Sequence, residues 1–287
     1  VVSNLYELNQ YLPNIFNGED KGILVDVTDA PGFYKYYSQA ITNGWAVVVA
    51  NKTPLANSDF EQFKILRKSS FFYEATVGAG LPVISSLKHL QSGGEKIEEI
   101  KGILSGSLSF ILDQCLKDHS LSEAVTKAIE DGYTEPDPRI DLSGKDVARK
   151  ALILARSIGI DCELSDVQRE PLLEISSESG TENLIKELKK KNKTFSKNIR
   201  SHLEKGLYPA YSASVSSYGV KTGLEFFEKD DPLLSGKSTA NTVLYFTKNY
   251  KDPPLQISGP GAGPKVTASG VYADIKRACS KLNPALN

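Results

Sequence analysis

GILVDVTDAPGFYKYYSQAITNGWAVVVA, residues 22–50, contains two short apolar runs, GILVDV at 22–27 and WAVVVA at 45–50. Runs this short and uniformly apolar read as strands buried on both faces, as in a parallel sheet, not as half-solvated alternating strands. Between them, residues 31–42 read as a helix entered at Pro31 and stopped at Asn43-Gly44, because proline suits a first helical turn and Asn-Gly ends one. Outward from this pair, 59–68 reads as a further helix and 71–75 as a third strand, while 5–15 carries apolar residues at helical spacing. The βαβαβ rhythm with short connections predicts a parallel, doubly wound sheet.

From Gly80 the texture changes. Residues 81–90, 107–116, 121–129 and 143–158 read as helices and 96–104 as a strand. Residues 206–226 and 242–247 carry the β-branched and aromatic residues of antiparallel strands. The stretch 169–201 is polar, with KELKKKNK at its centre; it reads either as a patch for an anionic partner or as a solvated helix or insertion. The acidic residues around it favour the second. The chain closes on a glycine-rich turn, GPGAG at 259–263, and a helix over 266–282.

Composition narrows the classes. The 287 residues are 40% hydrophobic and 24% charged with a net charge of -1, which supplies no global field for nucleic acid or an anionic membrane. No apolar run approaches the ~20 residues that span a bilayer. Cys115, Cys162 and Cys279 form no C-x-x-C pair, and no basic segment followed by an apolar one opens the chain. Both features point to the cytoplasm or an equivalent reducing compartment. The sequence starts at Val1 and holds no methionine, which suggests that residues have been trimmed or omitted.

Chemistry concentrates around Asp146 and Lys150. On a helix they stand at i and i+4, one turn apart on one face. A surface ion pair would look the same. However, the helix continues as ALILA, and Glu135, Asp137 and Asp141 lie just upstream in a loop stiffened by Pro136 and Pro138. Several carboxylates with one lysine suit an amino group plus a hydroxyl better than they suit a core. Lys52 follows the second apolar strand directly and Thr28 the first, at the strand ends where doubly wound sheets bind ligands; an ordinary loop lysine would occupy the same place. In EATVGAGLP (74–82), closely spaced glycines can offer N–H groups to an anion, carbonyls to a hard cation, or simply make a tight turn.

Five motifs bear on this choice: NKTPLA (51–56), EATVGAGLPVI (74–84), GILSGSLSFI (102–111), GYTEPDPRIDLSGKDVARK (132–150) and GPGAGPKVTASGV (259–271). In order and spacing they resemble homoserine dehydrogenase. The similarity runs over essentially the whole chain and is weakest at 169–207. The resemblance implies an α/β protein with an incomplete doubly wound (Rossmann-like) nucleotide-binding domain, residues 1–80 completed by 262–287. An α+β substrate-binding and dimerisation domain, 81–261, is inserted between them. It implies interconversion of L-homoserine and L-aspartate 4-semialdehyde with NAD(P)(H) in threonine and methionine biosynthesis, by a homodimer or dimer of dimers. Carried over by motif, Lys150 transfers the proton with Lys52 assisting. Glu135, Asp141 and Asp146 hold the substrate, and Thr28, Lys52 and Gly263 contact the cofactor. Backbone carbonyls of Glu74, Val77, Ala79 and Leu81 match a site for a sodium or potassium ion. As an acid in semialdehyde reduction Lys150 needs no pKa shift, whereas as a base at neutrality it would have to fall about three units from ~10.4.

The chain departs from the family pattern in two places. The G-x-G-x-x-G turn and the acidic residue that reads the ribose are expected before Val1, so NAD and NADP are not distinguished. Ile140 also stands where the family usually has an Asp. Two readings therefore stay open: the larger part of an active enzyme, or a truncated, catalytically incompetent fragment that dimerises and binds substrate. A different semialdehyde or amino-acid dehydrogenase is a more distant third. His89, His119 and His202 fall outside the motifs and read as surface or structural, and no His/Cys cluster has zinc spacing.

Overall fold

The two opening apolar runs are parallel partners in the computed structural model, which describes residues 11–283 except 13, 19, 176–180 and 237–238. β1 (Ile23–Asp26) pairs with β2 (Ala46–Val49), and β2 with β3 (Phe71–Phe72). The helix expected over 5–15 lies largely outside the described residues; residues 11–12 and 14–16 are helical. α1 (Tyr34–Thr42) makes the first crossover and buries Tyr36, Tyr37 and Ala40. The short α2 (Thr53–Asn57) opens straight after β2. α3 (Phe60–Arg67) starts at Asp59, whose carboxylate accepts from the Gln62 N–H while the Gln62 side chain accepts from the Asp59 N–H. That reciprocal cap satisfies two otherwise orphan donors.

Two expectations need correction here. All four β2 residues are fully buried, but β1 is not covered on both faces: Val25 is 39% exposed. β3 also ends at Phe72, short of residue 75. The chain turns into a single 3₁₀ turn at Glu74–Thr76, where the Glu74 N–H is taken by the Asp274 carboxylate instead of a neighbouring strand.

The second sheet has six strands in the order β5-β7-β6-β4-β8-β9. These are β4 (Ile97–Ile103), β5 (Gln168–Arg169), β6 (Leu207–Ser216), β7 (Gly219–Glu228), β8 (Ala240–Thr247) and β9 (Leu255–Pro260). β6 and β7 form a long antiparallel hairpin, and β5 adds to β7 in parallel. β9 was not anticipated, and neither was the position of β4, whose two partners arrive far later in the chain. The helices α4 (Val83–Ser92), α5 (Gly106–Leu116), α6 (Leu121–Glu130), α7 (Pro138–Leu142) and α8 (Lys145–Ser157) follow the expected positions closely, α7 excepted.

The lysine-rich stretch is α9 (Thr181–Leu203), with Leu184, Leu188, Phe195 and Ile199 buried on one stripe against α6 and β6 and its lysines outside. It is a solvated amphipathic helix. α10 (Pro264–Leu282) returns to the first sheet, where Val271 and Ala278 pack on Ala46 and Val48. α8 is buried from Val147 to Ser157 apart from Arg149 and Lys150, and contacts α2, α3 and α4 on one side and β6 and β7 on the other. One contiguous apolar core therefore runs from Tyr37 and Val47 through Leu87 and Leu152 to Val215. No described helix is long and apolar enough to cross a membrane.

Candidate active site

The site is built from the ends of β1 and β2, the start of α8 and the turn before α10. Asp26, the last residue of β1, is 2% exposed, and its carboxylate accepts from the Thr28 N–H and hydroxyl, the Tyr37 hydroxyl and the Asn51 side-chain amide. A buried carboxylate is tolerated only with such partners. Burial and then Asp26 beside it push the Tyr37 hydroxyl far above its usual pKa. Asn51 also donates to the Ala30 carbonyl and accepts from the Thr53 N–H. Asp26 and Asn51 thus fix the loops that carry Thr28 and Lys52. Asp26 was missed by sequence reading, although a lone acid inside an apolar strand is a visible signal.

α8 begins at Gly144, which is left-handed with φ 68°. A Cβ there would lie 1.9 Å from the Tyr211 hydroxyl oxygen, so only glycine lets the helix start so close to β6. From that start, Lys150 Nζ reaches Asp146 at 2.8 Å and donates to the Leu104 carbonyl at 2.7 Å. Lys52 Nζ approaches the other Asp146 oxygen at 3.3 Å. Asp146 therefore bridges two ammonium groups. Burial works to raise its pKa, but Lys150 and Lys52 together outweigh it and hold the carboxyl well below the usual range. The Lys150 side chain is only 11% exposed, so these partners are what keep a cation in place there.

Asp141 accepts from the Ser107 hydroxyl at 2.6 Å and from the Glu135 N–H at 2.9 Å. Burial raises its pKa, with the Ser107 bond opposing. The Ser105 and Ser107 hydroxyls are 3.1 Å apart at the N-terminus of α5. Ser107 is a further site residue that sequence reading passed over, although it lies within one of the five motifs.

These residues share one cavity of about 600 Å³. Thr28, Lys52, Glu135, Asp141, Asp146, Lys150, Gly263 and Ala79 all line it, together with Arg149, Tyr133 and residues 105–107. The cradle suits the nicotinamide end of a dinucleotide. Thr28 and Lys52 stand beyond the strand ends, and Gly263 offers bare backbone at φ 109°, where an added Cβ would meet nothing. Glu74, Val77 and Leu81 do not line the cavity. The Glu74 side chain is turned away and buried, accepting from the Ile84 and Ser85 N–H groups and pairing with Arg277 at 3.3 Å. None of His89, His119 and His202 lines the cavity, and the described residues hold no cluster of three or more His, Cys, Asp or Glu suited to a metal.

The homoserine dehydrogenase family profile matches residues 82–275. The chain belongs to the homoserine dehydrogenase family. It is 36% identical to a homoserine dehydrogenase from Emericella nidulans over 91% of this chain and 76% of that protein. It is 39% identical to a bifunctional aspartokinase/homoserine dehydrogenase from Haemophilus influenzae over 89% of this chain but 32% of that protein. The chain thus spans about a third of the length of the bifunctional relatives it matches. Among solved structures, a hyperthermophilic archaeal homoserine dehydrogenase in complex with NADPH aligns with a TM-score of 0.71 and 29% identity, covering 90% of this chain and 72% of that one. A Candida auris protein of unknown function aligns with a TM-score of 0.88 and 33% identity, covering 98% of this chain and 82% of that one. Within the matched region, the GYTEPDPRIDLSGKDVARK segment supplies Glu135, Asp141, Asp146 and Lys150 to the cavity.

Proposed function

We propose that the intact protein interconverts L-homoserine and L-aspartate 4-semialdehyde with a nicotinamide cofactor, on the route to threonine and methionine. What carries this reading is the convergence of Lys52, Asp146 and Lys150 with Glu135 and Asp141 on the cavity that Thr28 and Gly263 also line. The bound nicotinamide supplies or accepts the hydride. The chain's own work is to orient the amino acid and move one proton. Lys150 Nζ gives that proton to the carbonyl oxygen in the reducing direction and recovers it in the other. Asp146 holds Lys150 and Lys52 at one point, and Glu135 and Asp141 receive the substrate ammonium.

Residues 1–80 with 262–287 form the cofactor unit in this reading, and 81–261 the substrate and dimerisation unit, giving a homodimer or dimer of dimers. The packing of α10 on the first sheet supports the first assignment, and a separate apolar cluster of Ile103, Ala210, Leu233 and Leu244 supports the second. The carbonyls of Glu74, Val77, Ala79 and Leu81 would hold a sodium or potassium ion. Those of Glu74 and Leu81 each accept one backbone N–H, which leaves a second lone pair on a neutral oxygen. Three unpaired cysteines agree with the cytoplasm or another reducing compartment.

The test is NAD⁺ or NADP⁺ reduction with L-homoserine by the intact protein. Lys150→Ala should lower kcat by about 10²–10⁴-fold, the scale of a lost acid–base group, with an unchanged circular-dichroism spectrum. No turnover by the wild type would defeat the reading, and near-normal turnover by the variant would remove Lys150 from its role.

A further inference from the structure

Three cations line the cavity, Lys52, Arg149 and Lys150. Two of them are committed: both lysines meet Asp146, and Lys150 also donates to the Leu104 carbonyl. Arg149 forms no ion pair among the described residues, and its Nε is buried without a hydrogen-bond partner. A buried donor left unpaired on a charged group is costly, and such groups in folded proteins call for a ligand or another explanation. Arg149 sits on the first turns of α8, three residues beyond Asp146, and lines the same cavity as Lys150.

We propose that Arg149 holds the α-carboxylate of the amino-acid substrate and so makes the enzyme specific for a free carboxylate. This rests on the proposed function and extends it. A guanidinium presents a planar fork of donors that meets a carboxylate in two parallel hydrogen bonds, which an ammonium does not. The charges around the cavity then complement each group of a zwitterion. Glu135 and Asp141 face the ammonium, Arg149 takes the carboxylate, and Lys150 is left for the side-chain oxygen. Each ammonium has three donors, so Lys150 keeps one for the side-chain oxygen after meeting Asp146 and the Leu104 carbonyl, while Arg149 is the cation whose Nε has no acceptor among the described residues.

The experiment compares L-homoserine with L-homoserine amide, in which a neutral carboxamide replaces the carboxylate, in intact wild-type, Arg149→Met and Arg149→Lys proteins. The readout is the ratio of kcat/KM for the two substrates. Wild type should favour homoserine, and Arg149→Met should lower that ratio by about 100-fold, the scale of a severed charge-assisted pair. Arg149→Lys should recover part of it, since charge returns without the fork. A loss shared equally by both substrates would overturn the assignment and make Arg149 structural. A rise in KM for the nicotinamide cofactor with the ratio unchanged would overturn it in favour of a cofactor contact. Wild-type protein that turns over neither substrate would defeat the functional reading itself, and this inference with it.

Discussion

Lys52 follows β2, while Asp146 and Lys150 stand one turn apart on α8. In the folded chain all three form one charge cluster, with the acid between the two ammoniums. A prediction follows from the direction of the Asp146 shift. Its carboxyl is held below its unfolded value, so the charge contributes stability that is fully present above about pH 4 and is lost as pH falls through the folded pKa. Asp146→Asn leaves the two ammoniums facing a neutral amide. The Tm gap between wild type and Asp146→Asn should therefore be largest near neutrality and close below about pH 4. Thermal melts across that range check it, and a gap independent of pH would show that the charge does not stabilise the fold. Asp146→Asn should also raise KM for homoserine, and an unchanged KM would return the pair to a plain surface salt bridge.

At the scale of elements, α8 decides the site because every cavity-lining residue on it is placed by where the helix starts. That start is set by Gly144 against Tyr211, whose hydroxyl donates to the Glu170 carbonyl at 2.6 Å. Gly144→Ala should cost about 1–2 kcal/mol for the left-handed backbone and a further ~1–3 kcal/mol for the overlap with Tyr211. In a Tyr211→Phe background the atom 1.9 Å from the new Cβ is gone, so the same substitution should cost less. Urea denaturation of the four proteins measures this. Strict additivity would show that Tyr211 is not what excludes a side chain at 144. At its other end α8 is tied by Arg156, fully buried and donating to the Leu55 and Cys162 carbonyls and to Glu163.

At the scale of the molecule, α10 packs on the first sheet and meets the Ala79–Gly80 turn at the cavity's edge at backbone contact distance. A Cβ on Gly270 would lie 2.6 Å from the Ala79 carbonyl oxygen, and one on Gly80 would lie 2.4 Å from that of Val266. Asp274 accepts from the Glu74 N–H, and Arg277 binds both Asp274 and Glu74, which clamps the approach. Gly270→Val should destabilise the fold by about 1–3 kcal/mol, the cost of overpacking. Because α10 carries Gly263 at its start, the variant should also raise KM for the nicotinamide cofactor more than KM for homoserine. Steady-state kinetics with each substrate varied would test this, and equal effects on both would separate α10 from the cofactor side of the cavity.

By itself the sequence determined the parallel first unit, most helices, the pairing of Asp146 with Lys150 and, through five motifs, the family. It could do so because apolar period, caps and i,i+4 spacing act over one or two turns of chain, within reach of a local window. Only the tertiary structure decided which charges share Asp146, that Ser107 and Glu135 meet at Asp141, that β4 lies between β6 and β8, and that β3 stops where Asp274 claims the Glu74 N–H. Most of these contacts join residues far apart in the chain, and their energy is realised only when burial removes water from both partners at once. The same holds for Arg149, whose Nε has no hydrogen-bond partner among the described residues, a property that only folding brings about.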